Sequence, residues 1–176
     1  RRGWKILERE VELQVYDDGS SFEASSGYHR LSSELLLWPA GYRLVSGKPL
    51  PEDYRNKLLG MAEFAGNYIN QNGVAPTWGD NDDARVFKLG NQGVNDHSYL
   101  SSLIKCILGD TPDCLIQEKS KPEILWALGS EWLDQVDSVQ KVVRGSACFE
   151  DGGIYILRGN LDHVFIDCGP IGLGGR

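Results

Sequence analysis

PEDYRNKLLGMAEFAGNYI, residues 51–69, reads as a helix, and it sets the fold class of the chain. Pro51 suits a first-turn position, and Glu52 and Asp53 favour the positive end of the helix dipole. Leu58, Met61, Ala62, Ala65, Tyr68 and Ile69 recur at helical spacing as the buried stripe. Towards the N-terminus, Trp4, Leu7, Val11 and Val15 mark a helix over residues 4–16, with Glu8, Arg9, Glu10 and Glu12 on its solvated face; Asp17, Asp18 and Gly19 end it. A second helix begins near Tyr28, with Leu31, Leu35 and Trp38 on one stripe. Pro39 removes a donor and disfavours helical geometry at Trp38, so a kink or stop is expected there.

Towards the C-terminus, residues 70–93 form a polar, Gly-rich crossing with Pro76, Trp78 and an acidic cluster, too long for a simple helix connection. Leu100, Leu103, Ile104 and Ile107 mark a fourth helix, with Asp96 as its cap, and residues 122–133 a fifth. The period then changes. Gly152 and Gly153 precede residues 154–158, residues 159–162 intervene, and residues 164–168 follow, which predicts a β-hairpin. Helices followed by strands imply two segregated regions with a boundary within residues 137–149.

The 176 residues, 41% hydrophobic and 24% charged, suffice for one sizeable core. A formal net charge of −7 without any Lys/Arg run argues against a nucleic-acid partner, which needs a concentrated basic face. No apolar stretch approaches the ~18 residues of a membrane span. Cys106, Cys114, Cys148 and Cys168 lack metal-ligand spacing and read mostly as small core residues; no metal or cofactor is expected. The absence of an initiator Met and of a signal peptide reads as a chain cut at both ends.

Residues 23–30, EASSGYHR, pack an acid, hydroxyls, a phenol, an imidazole and a guanidinium at the mouth of the second helix. From the residues alone, Glu23 or Ser26 is a cap, Tyr28 packs with its hydroxyl wet, and His29 and Arg30 lie on the surface. With its surroundings, however, the segment DGSSFEASSGYHR, residues 18–30, followed by a Leu-rich helix, resembles the catalytic-tyrosine segment of the heparinase II/III superfamily, which includes alginate lyases. GDNDDAR, residues 79–85, is similar to that family's acidic loop between toroid helices. FEDGGIYILR, residues 149–158, and FIDCGP, residues 165–170, resemble the start of its β-domain. The three segments occur in family order over residues 18–176.

The resemblance implies a mainly α fold, with incomplete α/α toroid helices over residues 1–137 and then a linker and the first antiparallel strands of a β-sandwich domain over residues 138–176. It implies a polysaccharide lyase acting on an acidic, uronic-acid-containing polymer by β-elimination, and it favours a periplasmic or secreted location. In this chemistry a base removes the proton α to the carboxylate, the carboxylate is neutralised, and an acid protonates the departing glycosidic oxygen. Tyr28 is the base, the acid or both. A phenol titrates at about 10, so a base role near neutral pH requires cationic neighbours such as His29 or Arg30. A helix N-terminus, worth about 0.3 to 1 kcal/mol, does not close that gap.

The implied substrate-binding residues are His29, Arg30, Glu23 and Trp78. Arg30 either grips a uronate carboxylate or pairs with Glu34 one turn on. Glu23 caps the helix or orients Arg30 or a sugar hydroxyl. Trp78 is either an exposed platform for a sugar ring or a buried anchor of the long loop. Asp80, Asp82 and Asp83 are expected to pair with Arg85 rather than hold Ca²⁺. His97 and His163 fall outside the catalytic set. The family's upstream Asn/His pair and downstream Gly-His-rich segment are not within residues 1–176, so these residues alone are expected to show little or no turnover. The rival readings are a glycoside hydrolase using Asp80 and Asp83 as paired carboxylates, and a non-catalytic saccharide-binding scaffold.

Overall fold

The computed structural model describes residues 2–112, 121–132, 143–160 and 162–169. Within them the order is α1 (Arg2–Gln14), α2 (Ser26–Val45), α3 (Glu52–Tyr68), α4 (Leu100–Ile107), α5 (Lys121–Leu128), β1 (Ala147–Phe149), β2 (Ile154–Arg158) and β3 (His163–Asp167). The fold is mainly α, helices first and a small antiparallel sheet last, as the change of period predicts. The fifth helix, expected over residues 122–133, ends at Leu128, where Gly129 takes a φ of +89°. The expected domain boundary at residue 137 and Cys114 lie outside the described residues.

The centre of the helical part is α3. Pro51 stands at its N-cap and Glu52 and Asp53 in its first turn. Besides the expected stripe, Tyr54 and Phe64 are also buried, so the apolar surface extends most of the way round the helix. Helices α1, α2 and α4 pack against it, and Phe64 meets Phe149 of β1 with ring centroids 4.8 Å apart, while Asn56 and Glu63 keep an exposed edge.

Three expectations for the helices are corrected. The cap of α2 is Ser25, not Glu23 or Ser26: its backbone is extended and its Oγ accepts from the Tyr28 amide at 3.1 Å. Of the kink or stop expected at Pro39, the stop does not occur, for α2 runs on to Val45. The carbonyl that Pro39 leaves without a helical donor belongs to Leu35, which is exposed, and the next carbonyl, that of Leu36, accepts from the Tyr54 hydroxyl at 2.8 Å. Asp96 does not cap α4, whose N-cap is Tyr99; its carboxylate instead accepts from the Ser98 amide and hydroxyl in the turn before.

The three strands form a meander in sequence order, with Phe149 opposite Ile154 and Tyr155 opposite Ile166. Ile154 and Ile156 face inwards while Tyr155 and Leu157 face out, the period of two that marks a half-buried strand. The expected hairpin is present, and β1, only three residues long, adds a strand the pattern does not show. Cys106 is buried, but Cys148 and Cys168 are exposed, contrary to a core role.

The sheet is bound to the end of α3 by charge as well as by packing. Arg158 of β2 donates to the carbonyls of Asn67 and of Ile69, the latter at 2.7 Å, supplying donors that the end of a helix lacks. Arg144, before β1, bonds Glu63 of α3 at 2.7 Å. Asp18 accepts from the Gly152 amide at 3.1 Å, which ties the turn before α2 to the turn before β2.

Candidate functional site

The three stretches that resemble the family's motifs meet at the N-terminus of α2. Residues 76–84 lie across its first turn. The Ser26 amide donates to the Trp78 carbonyl at 3.0 Å, the Ser26 hydroxyl to the Pro76 carbonyl at 2.8 Å, and the Ser25 hydroxyl to the Asp80 carbonyl. Glycine is needed on both sides of this contact. Gly79 has φ of +66°, and a Cβ there would stand 2.1 Å from the Ala24 oxygen; one on Gly27 would stand 2.9 Å from Asn81 Oδ1.

Tyr28 is half-buried beneath this loop, and its hydroxyl lies 3.4 Å from Asp82 Oδ2, a long hydrogen bond. The charge of Asp82 raises its pKa above the ordinary phenol value, followed by burial, the charge of Asp80, the bond to Asp82 and the charge of Glu23. Tyr28 is therefore a protonated phenol at neutral pH. The cationic neighbours expected of His29 and Arg30 do not act on it, because both side chains turn into the interior.

His29 is fully buried, with Nε2 3.3 Å from the Met61 carbonyl and its ring edge-on to Phe64 and Tyr68. Arg30 is fully buried as well. Its guanidinium donates to the carbonyls of Val94, Ala84 (3.3 Å) and Asp82 (3.5 Å), so it neither lies on the surface nor pairs with Glu34. Trp78 takes the place of an anchor, not of an exposed platform. It is 8% exposed, its Nε1 donates to Asp167 Oδ2 of β3 at 2.8 Å, and its ring centroid lies 5.3 Å from that of Phe165. Glu23 is exposed beside Tyr28. Of the five predicted site residues, then, Tyr28 and Glu23 stand at the surface, and His29, Arg30 and Trp78 hold the loop and helix from behind.

Deeper still lies a charged network that local pattern does not reveal. Arg85 does not pair with Asp80, Asp82 or Asp83; it turns inwards between Glu34 of α2 and Glu123 of α5, 3.3 Å from each. The same Glu34 carboxylate accepts from the Tyr99 hydroxyl and, at 2.7 Å, from the Val86 amide. Glu123 accepts from Gln92 at 2.7 Å and from the amides of Leu89 and Gly90. The Arg85 guanidinium also sits 4.5 Å above the Tyr99 ring. Asp83 is left to Lys88, 3.8 Å away on the surface. One signal for Glu34 was present in the sequence, since it shares a helical stripe with Arg30 and Leu37. Nothing local identifies Glu123. Among the described residues, no group of three or more His, Cys, Asp or Glu side chains is placed to hold a metal ion.

A third buried group joins His29 to His97, whose Nδ1 lies 2.7 Å from the Tyr68 hydroxyl. Burial lowers the His29 pKa to about 4 and that of His97 well below its ordinary value; nearby Arg30 and His29 lower the latter further. Both histidines are neutral when folded and take up protons on unfolding, so their contribution is complete above about pH 6.5 and is lost as pH falls towards 4. From His29 alone the loss by pH 5 should be about 2 kcal/mol. Urea melts at pH 7 and 5 measure it, and a His29→Gln variant should show a shallower fall. An equal fall in the variant would show that His29 is not the group responsible.

The family model described as "Heparinase II/III N-terminus" matches residues 1–97. No curated protein sequence matches the chain at a significant level. A solved structure of heparinase III, the BT4657 gene product, has a TM-score of 0.61 at 18% identity, over 96% of this chain and 24% of its own. A form of that gene product with methylated lysines gives 0.62 at 18% identity, over 97% and 24%. The helices-then-sheet order matches the toroid-then-sheet arrangement of heparinase III, and the chain spans about a quarter of the length of those structures.

Proposed function

The chain belongs to the heparinase II/III family through residues 1–97, and from that premise we propose that it is the toroid-to-sheet segment of a polysaccharide lyase, cleaving a uronic-acid-containing polymer by β-elimination with Tyr28 as the proton donor. Residues 1–137 are then the end of the toroid and residues 138–176 the start of the β-domain. The observation that carries the assignment is the position of Tyr28, half-buried at a helix mouth with its hydroxyl against Asp82.

Elimination needs an acid that still holds its proton when the glycosidic oxygen departs. A phenol whose neighbours are acids is in that state at neutral pH, which favours the acid role for Tyr28 over the base role. As the C4–O bond breaks, the phenol O–H bond breaks with it and the proton goes to the leaving oxygen. The resulting phenolate beside Asp82 and Asp80 is disfavoured and recovers a proton from solvent. The base and the groups that neutralise the uronate carboxylate are assigned to other parts of the complete protein. Glu23, exposed at the rim, is assigned to a sugar hydroxyl.

The test is the product. The complete protein acting on uronate polymers should generate the ultraviolet absorbance of a conjugated C4=C5 double bond. New reducing ends without that absorbance would instead establish hydrolysis and shift attention to Asp80 and Asp83.

A further inference from the structure

We propose that Asp82 is a positioning residue for the Tyr28 phenol, and that Arg30 sets the place of Asp82 by holding the backbone of its loop from the buried side of α2. The inference rests on the reading of Tyr28 as proton donor and adds to it the means by which the phenol is aimed and kept protonated. Both carboxylate oxygens of Asp82 are engaged: Oδ2 with the Tyr28 hydroxyl at 3.4 Å and Oδ1 with the Ala84 amide at 2.8 Å. The second bond fixes the carboxylate relative to its own loop. The loop in turn is fixed by the fully buried Arg30, whose Nη2 donates to the carbonyls of Asp82 and Ala84 on either side of Asp83 and whose Nη1 donates to that of Val94.

This explains why the guanidinium is buried among carbonyls. A planar, always charged fork can hold several backbone oxygens from separate nitrogens at fixed spacing, where a lysine's donors all radiate from one nitrogen. Nearer the helix start, the Ser25 hydroxyl donates to the Asp80 carbonyl, and Gly27 leaves room for Asn81. The charged groups facing the phenol are thus Asp82 and Asp80 from the loop and Glu23 from the segment before α2, all of one sign.

Asp82→Asn in the complete protein removes the charge yet keeps an oxygen for the Ala84 amide. The Tyr28 phenol, followed by NMR of [¹³Cζ]tyrosine-labelled protein and assigned with Tyr28→Phe, should then titrate at lower pH than in the parent. The alkaline limb of the turnover profile should move the same way, with KM little changed. Arg30→Lys retains the charge but not the fork; it should lower kcat on the order of tenfold to a hundredfold by misplacing the loop, and adding Asp82→Asn to it should cost little more. An unmoved Tyr28 titration in Asp82→Asn overturns the inference even if Arg30→Lys fails to fold. A Tyr28 titration that shifts while the alkaline limb of turnover stays in place upholds the pairing with Asp82 and overturns the role of Tyr28 as proton donor.

Discussion

Replacing Tyr28 with phenylalanine should lower the turnover of the complete protein by about 10²- to 10⁴-fold, the usual contribution of a positioned general acid and the consequence of the role proposed for it, with its thermal stability nearly unchanged. The substitution keeps the ring and removes one oxygen, whose hydrogen bond is a 3.4 Å contact with the exposed loop. No buried partner is left unsatisfied, so the cost to folding is small. Substrate affinity should stay similar, since proton transfer is an interaction of the transition state and not of the ground state. Formation of unsaturated product at saturating substrate, beside a thermal melt, measures both effects. A folded variant with near-normal turnover would remove Tyr28 from the mechanism and leave the family assignment intact.

The second large effect is on stability. Arg85→Ala should destabilise the fold by about 3 to 5 kcal/mol, the cost of breaking a buried ion pair from one side. The Arg85 side chain is 4% exposed, and those of Glu34 and Glu123 are 2% and 1% exposed, so its removal leaves two carboxylates without their cation and beyond the reach of water. Replacing all three charges together, as Arg85→Met with Glu34→Gln and Glu123→Gln, should recover much of the loss because no orphaned charge remains. Urea denaturation of the two variants gives the comparison. A loss below about 1 kcal/mol for Arg85→Ala, the range of exposed pairs, would mean that the network is solvated.

What could be read from the sequence was what neighbouring residues decide. The buried stripe of α3 and the alternation in β2 follow from periodicities of a few residues, and each element stands where its period places it. The cap of α2 was legible only as a polar residue at the helix mouth, Glu23 or Ser26; it is Ser25, which is equivalent to Ser26 in sequence until the loop claims the Ser26 hydroxyl through the Pro76 carbonyl. His29 and Arg30 looked like surface residues because polar groups at a helix start usually are. His29 is buried because α3 packs over it with Met61, Phe64 and Tyr68, and Arg30 because residues 82–94 fold back over it, matters of tertiary placement with no local signature.

Arg85 shows the same limit from the other side. Its acidic neighbours in sequence made pairing with Asp80, Asp82 or Asp83 the obvious expectation, but the chain turns it towards Glu34 and Glu123, partners no window of sequence contains. The exposed carboxylates lose that competition because a buried cation needs buried counter-charges. For Tyr28, the sequence indicated which residue to examine but not how it is tuned. The nearest residues in sequence, His29 and Arg30, are cationic or titratable, whereas those nearest in space are acids.

The same Arg85 bridge governs the order in which the molecule can be assembled. It reaches 51 residues back to Glu34 and 38 forward to Glu123, so the final setting of residues 85–92 requires two distant stretches of chain to be present at once. Helices α1 to α3 are built from local contacts and close quickly, whereas closure across long separations carries a larger entropy cost and comes late. On the ribosome, Tyr28 and the loop that covers it leave the exit tunnel well before Glu123 does, and the network that locks them remains open until α5 has emerged.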